Sequence, residues 1–274
     1  MLQNELYDVI VLGASESGIA LCEMIKAKSP ETKVALVSKH FNYVKSTNKL
    51  LDTKLITGES VLSSYNHGAI ILSLKDRSLV VGKNLVIATG GKPIKAAKDT
   101  FKNIDICYKP SEITINPKNK PAVVYGDGEF AVSYALELAK KFKYVYLCSS
   151  VFKLDCNSKL LNKLNNVANI VHLPNCHIVS CKNDKDSKLA EITLDTYETI
   201  RCSALVIALG RLPDASGVGA RMIELDKDNY IKTNSLHQTT LVPNIYAIGE
   251  CTRHDTKRSI TTVCNHILGR QFIC

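Results

Sequence analysis

The sequence predicts an α/β protein built from two Rossmann-like units. Three observations carry this reading. A strand–glycine turn–helix device occurs twice, opening at Gly13 and at Gly126, 113 residues apart. Each turn follows a short, continuous apolar run of the kind that forms a buried parallel strand. Each unit also contains a later apolar strand that ends in glycine, at Gly90 and at Gly210.

The elements follow in order. YDVIVL (7–12) reads as the first strand and GASESG (13–18) as its turn. Ile19, Cys22 and residues 25–27 mark a helical stripe, with Ser15 and Ser17 as candidate N-caps. KVALVS (33–38) completes a βαβ unit, which packing and handedness place in a parallel sheet. Residues 39–60 are polar and are expected to be irregular. Residues 69–81 read as a hairpin turning at 75–78, and NLVIAT (84–89) as a separate buried strand. Residues 92–120, rich in Lys, Asn and Pro, read as a connector. The second unit opens with AVVY (122–125), turns through GDGEFA (126–131), and carries an apolar helix face at Ala131, Ala135, Leu138 and Ala139. YVYLC (144–148) is its next strand, 158–168 a short helix, and 170–207 alternating strands up to ALVIAL (204–209). NIYAIG (244–249) and a helix over 260–268 close the chain.

Composition excludes several classes. With 274 residues, 45% hydrophobic and 22% charged, the chain is neither disordered nor fibrous. No apolar run is long enough to span a bilayer. The first twelve residues carry Glu5 and Asp8 and no basic stretch, so no secretory signal is expected and the cytoplasm is the expected compartment. The net charge of +9 comes mainly from dispersed lysines, which reads as solvated surface rather than a nucleic-acid face. Ten cysteines occur without any C-x-x-C pair, so neither a zinc ribbon nor a local redox dithiol is written. Cys176 and Cys181 lie five apart in a strand-like stretch, which puts them on opposite faces of a strand.

A glycine turn between strand and helix lets backbone N–H groups and the helix dipole meet a pyrophosphate. The first glycine allows the turn, the second admits the phosphate, and the third lets helix and strand pack. Gly126, Gly128 and Ala131 satisfy that pattern in full. In the first unit Gly13 and Gly18 fit, but Ser15 stands at the second position. Ser38 stands where a ribose-binding acid is expected.

The order of these units, together with ATGG (88–91), ALGRLPD (208–214) and TTLVPNIYAIGE (239–250), resembles the two-dinucleotide-binding-domain flavoproteins. Within them it is most similar to the thioredoxin reductases and the thioredoxin-reductase-like ferredoxin–NADP reductases, over nearly the whole chain. The resemblance implies a second domain inserted into the first. Residues 1–112 and 238–274 would form a discontinuous FAD domain and 113–237 an NAD(P) domain. It implies FAD contacts at Gly13, Ser15, Gly18, Ser38, Thr89, Gly90, Gly249, Glu250, Arg258, Ser259 and Ile260. The NAD(P) site would use Gly126, Gly128, Glu129, Ala131, Ser149, Ser150 and Gly210. A homodimer, and a small-molecule or small redox-protein electron acceptor, are implied likewise; no membrane or nucleic-acid partner is.

Three departures shape the expected activity. Cys107 matches the first cysteine of the family's dithiol and Pro110 stands at the second, which leaves Cys107 as a candidate redox thiol without its partner. Residues 38–84 are shorter than in the reductases. The basic cluster that reads the NADPH 2′-phosphate is replaced by Cys148, Ser149, Ser150 and Val151, and no acid stands there either. The expectation is an FAD-dependent NAD(P)H oxidoreductase with loosely held flavin and no internal dithiol. The alternative is a non-catalytic nucleotide-binding, sensor or partner protein of the same fold.

Overall fold

The computed structural model describes residues 5–41, 50, 52–96, 106–116, 119–184, 189–196, 198–219, 221–239 and 241–271. The chain forms two compact units. One is Met1–Lys92 with Leu212–Cys274, the other Pro93–Arg211.

The first unit begins with β1 (Leu6–Leu12), α1 (Glu16–Lys28) and β2 (Val34–Ser38). β3 (Thr53–Thr57), β4 (Ser60–Asn66), β5 (Ala69–Leu74) and β6 (Leu79–Ile87) follow. β1 is buried on both faces, with alternate residues serving different layers. Val9 and Val11 join the cluster under α1, and Ile10 and Leu12 the cluster on the other face. The strand order is β3-β2-β1-β6-β5-β4, with β1, β2, β3 and β6 parallel and β4–β5–β6 an antiparallel meander.

β7 (Gly91–Pro93) carries the chain toward the second unit, which contains β8 (Ile106–Cys107), β9 (Pro121–Tyr125), α2 (Glu129–Leu138), β10 (Tyr144–Cys148) and α3 (Ser158–Asn165). Then come β11 (Ile170–Leu173), β12 (Ile178–Asp184), β13 (Leu189–Leu194), β14 (Thr199–Cys202) and β15 (Ala204–Ile207). β11-β10-β9-β15-β8 is a parallel sheet, covered on one face by α2 and α3 and on the other by the antiparallel β12-β13-β14 sheet. β16 (Arg211–Pro213) leads back, and β17 (Ile245–Ala247) and α4 (Thr256–Gln271) complete the first unit. β5 pairs with the first half of β6 and β17 with the second half, and α4 packs beside α1.

Several sequence expectations need correction. Residues 79–81 and 84–89 are not two strands. β6 runs unbroken through Gly82, which pairs with Tyr7 of β1 and Ile70 of β5; it is glycine because a side chain there would strike Ile10. The stretch 39–60, expected to be irregular, contains the edge strand β3 and the start of β4. β3 was hidden because an edge strand exposed along much of its length lacks a continuous apolar run. Cys176 and Cys181 do not part to opposite faces. Cys176 precedes β12, the β12–β13 register shifts between Ile178 and Ser180, and both thiols enter one cluster. The unit boundaries also fall elsewhere than at 112/113 and 237/238. Ile106 and Cys107 pair in the second sheet, while Met222, Ile223 and Ile231 bury themselves in the first unit's core.

Candidate functional site: two glycine turns

Both glycine turns sit at the C-terminal end of a central parallel strand, where ligands of open α/β sheets bind. They are built differently. At the first, a Cβ on Gly13 (φ 110°) would collide with the Ala88 carbonyl, and one on Gly18 with the Gly13 carbonyl. Strand–helix packing alone therefore demands both glycines. Ser15 is the N-cap of α1. Its hydroxyl accepts from the Gly18 N–H at 3.3 Å and donates to the Ala88 carbonyl at 2.8 Å. The side chain expected to face a phosphate is engaged by its own helix and the neighbouring strand.

At the second turn, a Cβ on Gly126 would collide with the Ala208 carbonyl, so packing demands this glycine too. Gly128 is different. Its φ is −109°, and a Cβ there would lie 3.7 Å from its nearest neighbour, the Asp155 carbonyl. Neither backbone conformation nor packing requires glycine at 128. No side chain caps α2, so its first N–H groups keep their donor capacity. Ala131 is fully buried under the sheet, which lets α2 approach β9 closely. A cradle that a Cβ would fill, backed by an uncapped helix, fits a dinucleotide pyrophosphate.

The remaining expected residues divide between the units. In the first unit, the Ser38 hydroxyl donates to the His40 carbonyl at the end of β2. The Thr89 hydroxyl bonds the Asp214 carbonyl, and the Asp214 N–H donates to Gly90 at 2.9 Å. Burial raises the Asp214 carboxyl, but Ser216 and Lys92 outweigh it and hold the pKa below the usual value. Gly249 and Glu250 open a 3₁₀ turn beyond β17, and the Glu250 carboxylate would lie 3.7 Å from a Cβ on Gly90. Arg258 and Ser259 stand in the first turn of α4 and Ile260 follows in the next. Asp255 caps the helix by accepting the Arg258 N–H at 2.8 Å, and Ser259 is buried, donating its hydroxyl to the Asp255 carbonyl.

In the second unit, Glu129 opens α2 and accepts from Asn157 through backbone N–H and Nδ2, at 3.2 and 2.6 Å. Ser149 is buried, donates to the Val151 carbonyl and meets His172 Nε2, both at 2.8 Å. Gly210 follows β15. Two residues escaped the sequence reading. Arg211 lies 5.8 Å over the Phe130 ring and brings positive charge to the first turn of α2; its signal was the arginine inside ALGRLPD. Asp127, inside the turn itself, accepts from the Ser150 N–H at 2.7 Å and the Ser150 hydroxyl at 2.6 Å.

Cys107 is half-buried on β8, packed against the apolar cluster under α2, and the buried Pro110 opens a 3₁₀ turn whose Ser111 and Glu112 are exposed. Among the described residues no cysteine is in a disulfide. Burial pushes the Cys181 thiol up to about 11 and Cys202 up to about 12, and raises Cys148, so these thiols are unreactive at neutral pH. Among the described residues no metal-binding cluster forms, and no helix is long and apolar enough to cross a membrane.

This arrangement has counterparts among known proteins. The chain is 24% identical to ferredoxin–NADP reductase 1 of Lysinibacillus sphaericus, across 97% of this chain and 88% of that protein. It is 26% identical to the thioredoxin reductase of Mycoplasma pneumoniae, across 95% and 91%. Its fold matches the crystal structure of Lactococcus lactis thioredoxin reductase in the FR conformation, with a TM-score of 0.80 at 19% identity, covering 98% of this chain and all of that one. The fold is thus the thioredoxin reductase fold of two Rossmann-like domains. Residues 44–266 match the profile of one family over most of the chain, and the chain belongs to the pyridine nucleotide-disulphide oxidoreductase family.

Proposed function

We propose that this protein is an FAD-dependent NAD(P)H oxidoreductase that delivers electrons to a small molecule or small redox protein without an internal dithiol. The observation that carries the reading is Gly128, a glycine at the phosphate position of the turn that neither backbone conformation nor packing requires. The NAD(P) pyrophosphate would meet the Phe130 and Ala131 N–H groups at the uncapped start of α2, with Arg211 offsetting its charge. The FAD pyrophosphate would meet the start of α1. There the frame of Gly13 and Gly18 fits the group, but Ser15 already occupies one donor. Bound FAD supplies the two-electron acceptor for a nicotinamide hydride. Glu250 beside Gly90 and the buried Ser259 at the start of α4 would orient it.

Disulfide chemistry in one chain needs two sulfurs with Cα atoms roughly 4.4–6.8 Å apart. Cys107 has no such neighbour in sequence, so NADPH-driven thioredoxin reduction is expected to be absent. Thioredoxin reduction that disappears in Cys107→Ser would overturn that part of the reading.

Visible absorbance decides the flavin question. The purified protein is expected to be substoichiometrically yellow, to lose FAD on dialysis and to regain it on addition. One observation favours the non-catalytic alternative: Ser15 satisfies α1 without any ligand. That alternative becomes the better reading if neither the native protein nor a Ser15→Gly, Ser38→Glu variant binds FAD at millimolar concentration.

A further inference from the structure

In a Rossmann unit the acid that binds the adenosine ribose stands at the end of the second strand, about 20 residues after the glycine turn. Here that position is the end of β10, and it carries no acid. Cys148 is buried, and the buried Ser149 hydroxyl is engaged by Val151 and His172. Ser150 is the next residue out. Its N–H and hydroxyl reach the two oxygens of Asp127, one each. A carboxylate is therefore anchored at the end of β10, delivered from the glycine turn instead of from the strand.

We propose that Asp127, held by Ser150, is the specificity determinant of the second site, selecting the nicotinamide dinucleotide with a free ribose 2′-hydroxyl over its 2′-phosphorylated form. The inference rests on the nucleotide-binding reading of this unit. An ionised carboxylate offers about four acceptor positions. Ser150 fills two, which leaves capacity for a ribose hydroxyl. A 2′-phosphate brings about −1.5 to −2 charge to the same place. Among the described residues no Lys or Arg pairs with Asp127 to neutralise it. Glu129 and Asp155 add negative charge near the turn, but the pyrophosphate common to both nucleotides meets that field equally. Only the carboxylate at β10 distinguishes them.

The test is calorimetric titration of the native protein, Asp127→Asn and Ser150→Ala with NADH and NADPH. ADP-ribose and its 2′-phosphate are titrated in parallel to isolate the adenosine half. The native protein is expected to prefer NADH by at least about ten-fold, a difference of about 1.4 kcal/mol. That preference should shrink as salt screens the repulsion. In Asp127→Asn the two nucleotides should come within about three-fold of each other, mainly through tighter NADPH binding. In Ser150→Ala the loosened carboxylate should discriminate less than in the native protein. Equal affinities or NADPH preference in the native protein would overturn the proposal and leave the nucleotide site standing. A preference unchanged in Asp127→Asn would do the same. Failure of the native protein to bind any of the four ligands would instead overturn the nucleotide-binding reading, and this inference with it.

Discussion

The two glycine turns share a backbone plan and differ in what completes them. In the first, internal contacts account for every special residue. Gly13 and Gly18 avoid backbone collisions, and Ser15 caps α1 and ties it to Ala88, the residue just past β6. In the second, Gly126 is explained the same way, but a Cβ on Gly128 would meet only the Asp155 carbonyl at an ordinary 3.7 Å, and α2 has no side-chain cap. Glycine is informative about a ligand where the fold has no use for it.

One methyl group added at each turn separates the two. Gly13→Ala forces a Cβ into the Ala88 carbonyl at φ 110° and should cost roughly 3 kcal/mol of stability. Gly128→Ala meets only ordinary contact and should change stability by less than about 1 kcal/mol. Denaturant melts of both variants check this; equal losses would mean that Gly128 is as structural as Gly13. A larger side chain separates binding from folding. Gly128→Val should weaken nicotinamide-nucleotide binding roughly 100-fold or more while the melt stays near native. Calorimetry giving native affinity would remove the second site.

At the first turn the expected effect is smaller and opposite in sign. Ser15→Gly releases the Gly18 N–H at a stability cost of only a few tenths of a kcal/mol. Combined with Ser38→Glu, it should raise the flavin retained after dialysis several-fold, on the order of one recovered hydrogen bond. Retention no better than native would show that Ser15 does not limit flavin binding.

The smallest effect comes from two histidines. Burial, then His254 and Arg258, lower the pKa of His237, whose Nδ1 is buried without a hydrogen-bond partner. Burial also lowers His172 in the second unit. A histidine with a depressed folded pKa binds protons more readily when unfolded. Stability is therefore full above the unfolded value near 6.5 and falls as pH drops below it toward the folded values. Urea midpoints at pH 7.5 and 5.5 should show the loss. His237→Gln should make that loss smaller.

Much of this was legible before any coordinates. The paired fingerprints, the glycine-ended strands and the closing TTLVPNIYAIGE segment are local patterns, and local patterns survive in sequence. What escaped depended on pairing across distance. β3 is exposed along much of its length and is a strand only because β2 lies beside it. Gly82 resembled a strand break until Ile10 explained it. Asp127 resembled an ordinary turn residue, and the end of β10 resembled a site without an acid. Only the fold brings residues 127 and 150 into contact.

The self-capped start of α1 bears on how the protein is made. A ligand stabilises a fold by RT ln(1 + [L]/Kd), so a dinucleotide present near its Kd adds only about 0.4 kcal/mol. Since Ser15 already satisfies the helix, the nascent chain has little to gain from waiting for a cofactor. Starving a cell of flavin should then leave the amount of this protein unchanged and lower only the fraction that is loaded.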